Sequence, residues 1–278
     1  MEESPFRFAL NTSTIRCGEI GLAEMVDAAA EAGYDAIEPW VAELDAWQEA
    51  GNSLDDLATR CQDVGLAVVN LIGFFAWASP DEAERAEGFE EARRCFDMGA
   101  RLGCPYVAAP PWGIHERAGL DLFAIAERYG ALIDLGKQCG VTPLLEFWGI
   151  ARTLGTLGEA LLVAAECGRP EAVILADVFH MYKGTGHFEG LNLIGADTVG
   201  LVHVNDYPAD PPREAITDAD RVYPGDGVAP YADILARLRD ARFHGMVSLE
   251  LFNRSYWQQD AATVAKTGLA KLQALTEG

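Results

Sequence analysis

Four short apolar runs in the second half of the chain each carry, near their end, a side chain that can bind a metal or move a proton. TPLLEFWG carries Glu146, VILADVFH carries Asp177, GLVHVND carries His203 and MVSLELF carries Glu250. A single acid at the end of such a run is ordinarily a helix cap or a surface charge. Four such residues in four successive runs call for another account. Three carboxylates among apolar neighbours are costly to bury unless something cationic compensates. Too few Lys or Arg stand nearby to pair with all of them, so a divalent cation is the simplest partner. Three carboxylates and one imidazole form an oxygen-rich set that suits Mn, Mg, Zn, Co or Fe without choosing among them.

Further residues gather around these runs. His180 stands about one helical turn beyond Asp177, where it would hang over the same pocket and contact substrate or a developing charge. The segment HVNDYPADPPREAITDADRVYPGDG is too long for an ordinary connection, and long structured loops in compact domains are usually functional. Its Arg221, and Lys183 in FHMYKG, are expected to fold back over the mouth of the pocket; otherwise each is a solvated surface cation. Asp206 follows the histidine run and is a further substrate-contact candidate. Trp40, Trp112 and Trp148 belong to a set of aromatics near the ends of the runs. Aromatic faces suit the C–H faces of a sugar or cyclitol, although some of these rings must simply pack. His115 and His187 carry no such signal, and His244 is expected in the last turn of a helix, where the dipole favours a cation.

The elements that must hold these residues show as a repeat. An amphipathic stretch ends on glycine and a short apolar run follows, in AEAGYDAIEPW, QDVGLAVVNLIGF, ARLGCPYVAAPPW, KQCGVTPLLEFWG, AECGRPEAVILADVF, DTVGLVHVNDY and RFHGMVSLELF. Glycine best tolerates the left-handed conformation that closes a helix. The apolar runs lack clean alternation, as expected of strands covered on both faces. RFALNT supplies an eighth strand and VAKTGLAKLQAL a closing helix. Eight strands alternating with eight helices predict an α/β chain folded as a single (β/α)8 TIM barrel over residues 1–278, whose chemistry lies at the C-terminal ends of its strands. An open doubly wound sheet ranks below it, because no GxGxxG or Walker-type loop follows any strand.

Composition narrows the function. The formal net charge of -22 opposes nucleic-acid and anionic-membrane partners. The six cysteines form no CxxC pair, and the start, MEESPFRFALN, lacks a leader pattern; both suggest reduced thiols in a cytoplasmic protein. No apolar run approaches the roughly 20 residues needed to span a bilayer. A homodimer is conceivable for a barrel of this size, but no stripe marks a face for it.

LEFWG, LADVFHMYKG, VHVND, DADRVYPGDG and VSLELF together resemble the xylose-isomerase-like barrel superfamily of sugar isomerases, sugar epimerases and endonuclease IV. Within it the sequence is most similar to the 2-keto-myo-inositol isomerases (inosose isomerases). The resemblance spans the chain and is strongest over its second half. It implies one divalent metal on Glu146, Asp177, His203 and Glu250, with the two glutamates also moving protons. It departs after LEFWG, where IARTLGT replaces a more polar segment and Arg152 stands near where ketose 3-epimerases carry a further glutamate. The expected reaction is a 1,2-proton shift in an α-hydroxy ketone of a small sugar or cyclitol, with His180 and Arg221 stabilising charge. No glycine-rich loop offers a phosphate site, which favours unphosphorylated substrates. The rivals are a dehydratase or lyase on a keto-sugar or inosose, a non-catalytic metal-bound barrel and, opposed by the charge, a nuclease.

Overall fold

The computed structural model describes residues 6–276. Residues 1–5, part of the segment read for a leader, lie outside the described residues. Strands and helices alternate except for the pairs α2–α3 and β3–β4: β1 (Arg7–Asn11), α1 (Leu22–Ala32), β2 (Ala36–Glu38), α2 (Val41–Glu49), α3 (Leu54–Asp63), β3 (Ala67–Val68), β4 (Asn70–Leu71), α4 (Glu82–Arg101), β5 (Tyr106–Ala109) and α5 (Leu122–Cys139). They continue through β6 (Thr142–Glu146), α6 (Leu157–Glu166), β7 (Val173–Asp177), α7 (Val178–Gly184), β8 (Val199–Val204), α8 (Tyr231–Asp240), β9 (Met246–Leu249) and α9 (Ala261–Thr276).

All strand pairs are parallel, in the order β3-β2-β1-β9-β8-β7-β6-β5-β4. β3 and β4 are two halves of one strand position. β3 pairs with β2 and β4 with β5, while the intervening Val69 donates its N–H to Ile37 at 3.1 Å. A parallel bridge between Trp40 and Ile72 continues the join. The sheet thereby comes round on itself into the expected TIM barrel, with eight strand positions. The four functional runs are β6, β7, β8 and β9.

Five of the seven repeat glycines close helices or turns with positive φ: Gly33, Gly65, Gly103, Gly140 and Gly168. The other two units differ from expectation. No α-helix runs into Gly200; a 3-10 turn at Glu189–Leu193 precedes it, and Gly200 lies within β8, where a Cβ would approach Leu144 Cδ2 to 2.7 Å. Helix α8 stops at Asp240, because Arg242 takes a φ of 58°. His244 therefore lies beyond the helix rather than in its last turn, with Nδ1 2.9 Å from the Arg242 carbonyl.

The core has two layers. A large cluster fills the space between strands and helices. A small one, with Ala9, Ala36, Leu144, Leu175 and Leu201, fills the barrel interior. Side chains two apart on a strand share a face. Two residues beyond each of those interior positions stand Asn11, Glu38, Glu146, Asp177 and His203, all buried. The inward face of the barrel thus switches from apolar to polar at one level, and that polar layer is the floor of the site.

Candidate active site

Asp177 ends β7, and His203 pairs with it in register on β8. Glu250 follows the last residue of β9. One ligand-type atom from each of the three lies within 4.8 Å of the others, and all three residues are buried. His203 Nδ1 sits 3.2 Å from Glu250 Oε2 and 3.6 Å from Asp177 Oδ2 but makes no hydrogen bond. Its Nε2 faces both oxygens of Glu38 at 3.1 and 3.2 Å. A hydrogen bond from one ring nitrogen to a carboxylate leaves the other as a lone-pair donor, the arrangement common to metal-binding histidines. An unpartnered imidazole nitrogen between two carboxylates fits a divalent cation chemically. Glu146, the fourth expected ligand, stands outside this group; its Oε1 accepts the indole N–H of Trp148 at 2.9 Å.

The electrostatics follow from burying many carboxyls together. Burial pushes the Glu146 carboxyl up to about 8; Glu250 and Asp177 add to this and His203 opposes it. Burial would also raise Asp177, but Arg221, His180 and His203 hold it well below the usual carboxylate range. His203 is pulled the other way: burial disfavours its charge, yet Glu250, Glu38 and Asp177 raise it well above an ordinary histidine. Burial lowers His180.

Arg221 ties the site together. Its Nη1 donates to Asp177 Oδ2 and Glu250 Oε2, each at 3.0 Å. Its other nitrogens hold Asp218 Oδ1, and its guanidinium lies over the rings of Phe179 and Phe252, with centroids at 4.5 and 5.2 Å. His180 Nε2 is 3.5 Å from Arg221 Nη2. Asp177 is also the N-cap of α7, accepting from the His180 N–H at 2.7 Å. One side chain is therefore both the cap that a lone strand-end acid suggests and a member of the ligand group.

Above this floor opens a cavity of about 370 Å³, lined by Glu146, His180, Asp218, Arg221, Glu250 and Arg254 and by the side walls Trp40, Ile72, Phe74, Trp148, Ile150, Phe252 and Trp257. The volume is that of a small-molecule site. Trp40 and Trp148 line it as expected. Trp112 stands at the rim, 43% exposed, with its ring 5.2 Å from Phe74 and stacked on His115.

Two expected substrate contacts are placed otherwise. Lys183 points away from the cavity: its ammonium donates to the carbonyls of Arg213, Glu214 and Ile216 at 2.8–2.9 Å. An ammonium has three donors, and three converging carbonyls satisfy them all. Lys183 thus fastens the long loop that carries Arg221. Asp206 likewise works within that loop, accepting from the N–H groups of Tyr207, Gly225, Gly227 and Ala229 at 2.8–3.0 Å.

Sequence reasoning missed Glu38, fully buried, whose carboxylate meets His203, Asn70 Nδ2 at 2.9 Å and the Ser248 hydroxyl. The signal was the same strand-end rule, applied to AIEPW in the first half of the chain. It also missed Asn11, which donates to Glu250 Oε1 at 3.1 Å, and Asn205, which donates to Asp177 Oδ2 at 3.0 Å.

Residues 26–275 match the family model of the xylose isomerase-like TIM barrel. The chain is 30% identical to the inosose isomerase of Bacillus velezensis, over 87% of this chain and 88% of that protein. It is 26% identical to the 3-dehydroshikimate dehydratase of Pseudomonas putida, over 92% of this chain and 40% of that protein. Its fold superposes on the structure of IOLI protein with a bound zinc atom, with a TM-score of 0.89 at 24% identity over 98% of both chains. With its barrel, its strand-end polar layer and these matches, the chain belongs to the xylose isomerase-like TIM barrel family.

Proposed function

We propose that this barrel is a divalent-metal-dependent isomerase or epimerase acting on an α-hydroxy ketone of a sugar or cyclitol such as 2-keto-myo-inositol. The observation that carries the reading is the group of Asp177, His203 and Glu250, with an unpartnered imidazole nitrogen, beneath a small-molecule cavity that Glu146 also lines. The isomerase relatives support the reaction class.

Asp177, His203 and Glu250 would hold the cation, with Glu146 as the fourth donor. A bound divalent cation would supply Lewis-acid polarisation of the substrate carbonyl. The chain's own residues do the rest. One glutamate of the pair Glu146 and Glu250 removes the α-proton, and the other returns a proton to the neighbouring carbon or to the opposite face. Glu250 is fixed between Asn11 and Arg221, which orients its oxygens. Arg221 and His180 face the charge that develops on the substrate oxygen. The aromatic walls exclude water from it.

The test is proton exchange. The metal-loaded protein is incubated with 2-keto-myo-inositol and a panel of ketoses in heavy water, and the α-protons are followed by NMR. Deuterium wash-in with a product of unchanged mass is the expected result; no exchange on any compound overturns the reading. The likeness to a 3-dehydroshikimate dehydratase supports a second outcome, elimination from the same α-carbanion, which loss of water from the product would reveal.

A further inference from the structure

The two ends of the cavity differ in chemistry. Glu146, Glu250, His180 and Arg221 converge on the floor; apart from Asp218 and Arg254, the rest of the lining, the outer wall, presents carbon. Three indoles line that wall, and all three direct their N–H groups into the protein: Trp40 to Asn11 Oδ1 at 2.8 Å, Trp148 to Glu146 Oε1 at 2.9 Å and Trp257 to the Ser13 carbonyl at 2.8 Å. They therefore offer a ligand ring faces and no donors. Beside them Phe74, Trp112 and Ile150 are 39%, 43% and 54% exposed. Phe74 joins the wall to the rim, with its ring centroid 5.5 Å from Trp40, 5.8 Å from Trp148 and 5.2 Å from Trp112. An aromatic surface thus runs from the cavity to the solvent without a break. The outer hydroxyls of a free polyol would meet this surface unpaired, which is unfavourable. A flat apolar group would bury both itself and the exposed rings.

We propose that the substrate carries an aryl or similarly flat apolar substituent, seated on this outer wall, while its α-hydroxy ketone sits on the polar floor. This rests on the proposed reading of the floor.

The probes are phenyl and methyl 3-keto-β-D-glucopyranosides, titrated into metal-loaded protein by calorimetry. The phenyl compound is expected to bind about tenfold or more tightly than the methyl compound. Trp112→Ala and Ile150→Ser, both at exposed positions, should each erase most of that difference. Equal affinities, or a phenyl advantage that survives both variants, overturns the proposal. So does a dimer in sedimentation that Trp112→Ala dissociates, because a second copy would then cover the patch. Deuterium exchange on the methyl compound without a phenyl advantage sinks only this inference. Absence of both binding and exchange, there and across the ketose panel, sinks the reading of the floor as well.

Discussion

Glu146 and Glu250, the two proposed proton carriers, are held differently, one by an indole N–H and the other by Asn11 and Arg221. Replacing either with glutamine removes a proton carrier while keeping shape. Turnover should fall by about 10²–10⁴ in either variant, with an unchanged circular dichroism spectrum; full activity in both would refute the acid–base roles. Glu38 tests the other side of the histidine. Glu38→Gln leaves His203 Nε2 without its carboxylate, so metal affinity should weaken by about 10–100-fold, read by chelator competition. An unchanged affinity would make Glu38 a packing residue. The strand-end residues of the second half were legible because each ends a recognisable apolar run. Glu38 was not, because β2 has three residues and AIEPW looks like many other short segments. Its role appears only when residues 165 positions apart meet at His203.

The loops around the mouth are held by backbone contacts that sequence patterns do not encode. Lys183 reached the candidate set as a cation near the site, but its partners are main-chain carbonyls some 30 residues away, and any residue type could supply those. Lys183→Met should release the Arg221 loop. Limited proteolysis within residues 208–220 should accelerate, and kcat/KM should fall more than metal affinity does. Unchanged cleavage would mean that the loop's other contacts, among them those of Asp206 and Arg213, hold it without Lys183. Gly149 makes a parallel case. A Cβ there would lie 2.5 Å from the His180 carbonyl and 2.7 Å from the Gly184 nitrogen, both backbone atoms. Gly149→Ala should cost about 1–3 kcal/mol of stability, measured by chemical denaturation. The elements themselves were easier to read: the glycine-punctuated repeat marked seven of the eight strand positions, only the unit at Gly200 lacked its α-helix, and the helix before Gly245 stopped short at Asp240.

At the scale of the molecule, one rule explains where the site is. β1, β2, β6, β7 and β8 turn their inward faces from apolar to polar at the same level, and with Glu250 just after β9 they build one floor. The negative charge spread over the surface is independent of that floor. With a net charge of -22, the protein should show no binding to duplex DNA even at low salt, read by fluorescence anisotropy. Tight binding would revive the nuclease rival. The far end of the barrel holds a different kind of join. Arg239 on α8 lies with its guanidinium 6.0 Å from the centre of the Phe6 ring and donates to the Thr276 carbonyl at 2.9 Å. The beginning and the end of the described chain therefore meet at one side chain, beside the β1–β9 pairing and away from the strand ends that carry the chemistry. A circular permutant, with these ends linked and the chain opened in the exposed turn at Ala50–Asn52, should form the same barrel with its floor intact. The order in which the strands are synthesised would change; the ring they close would not.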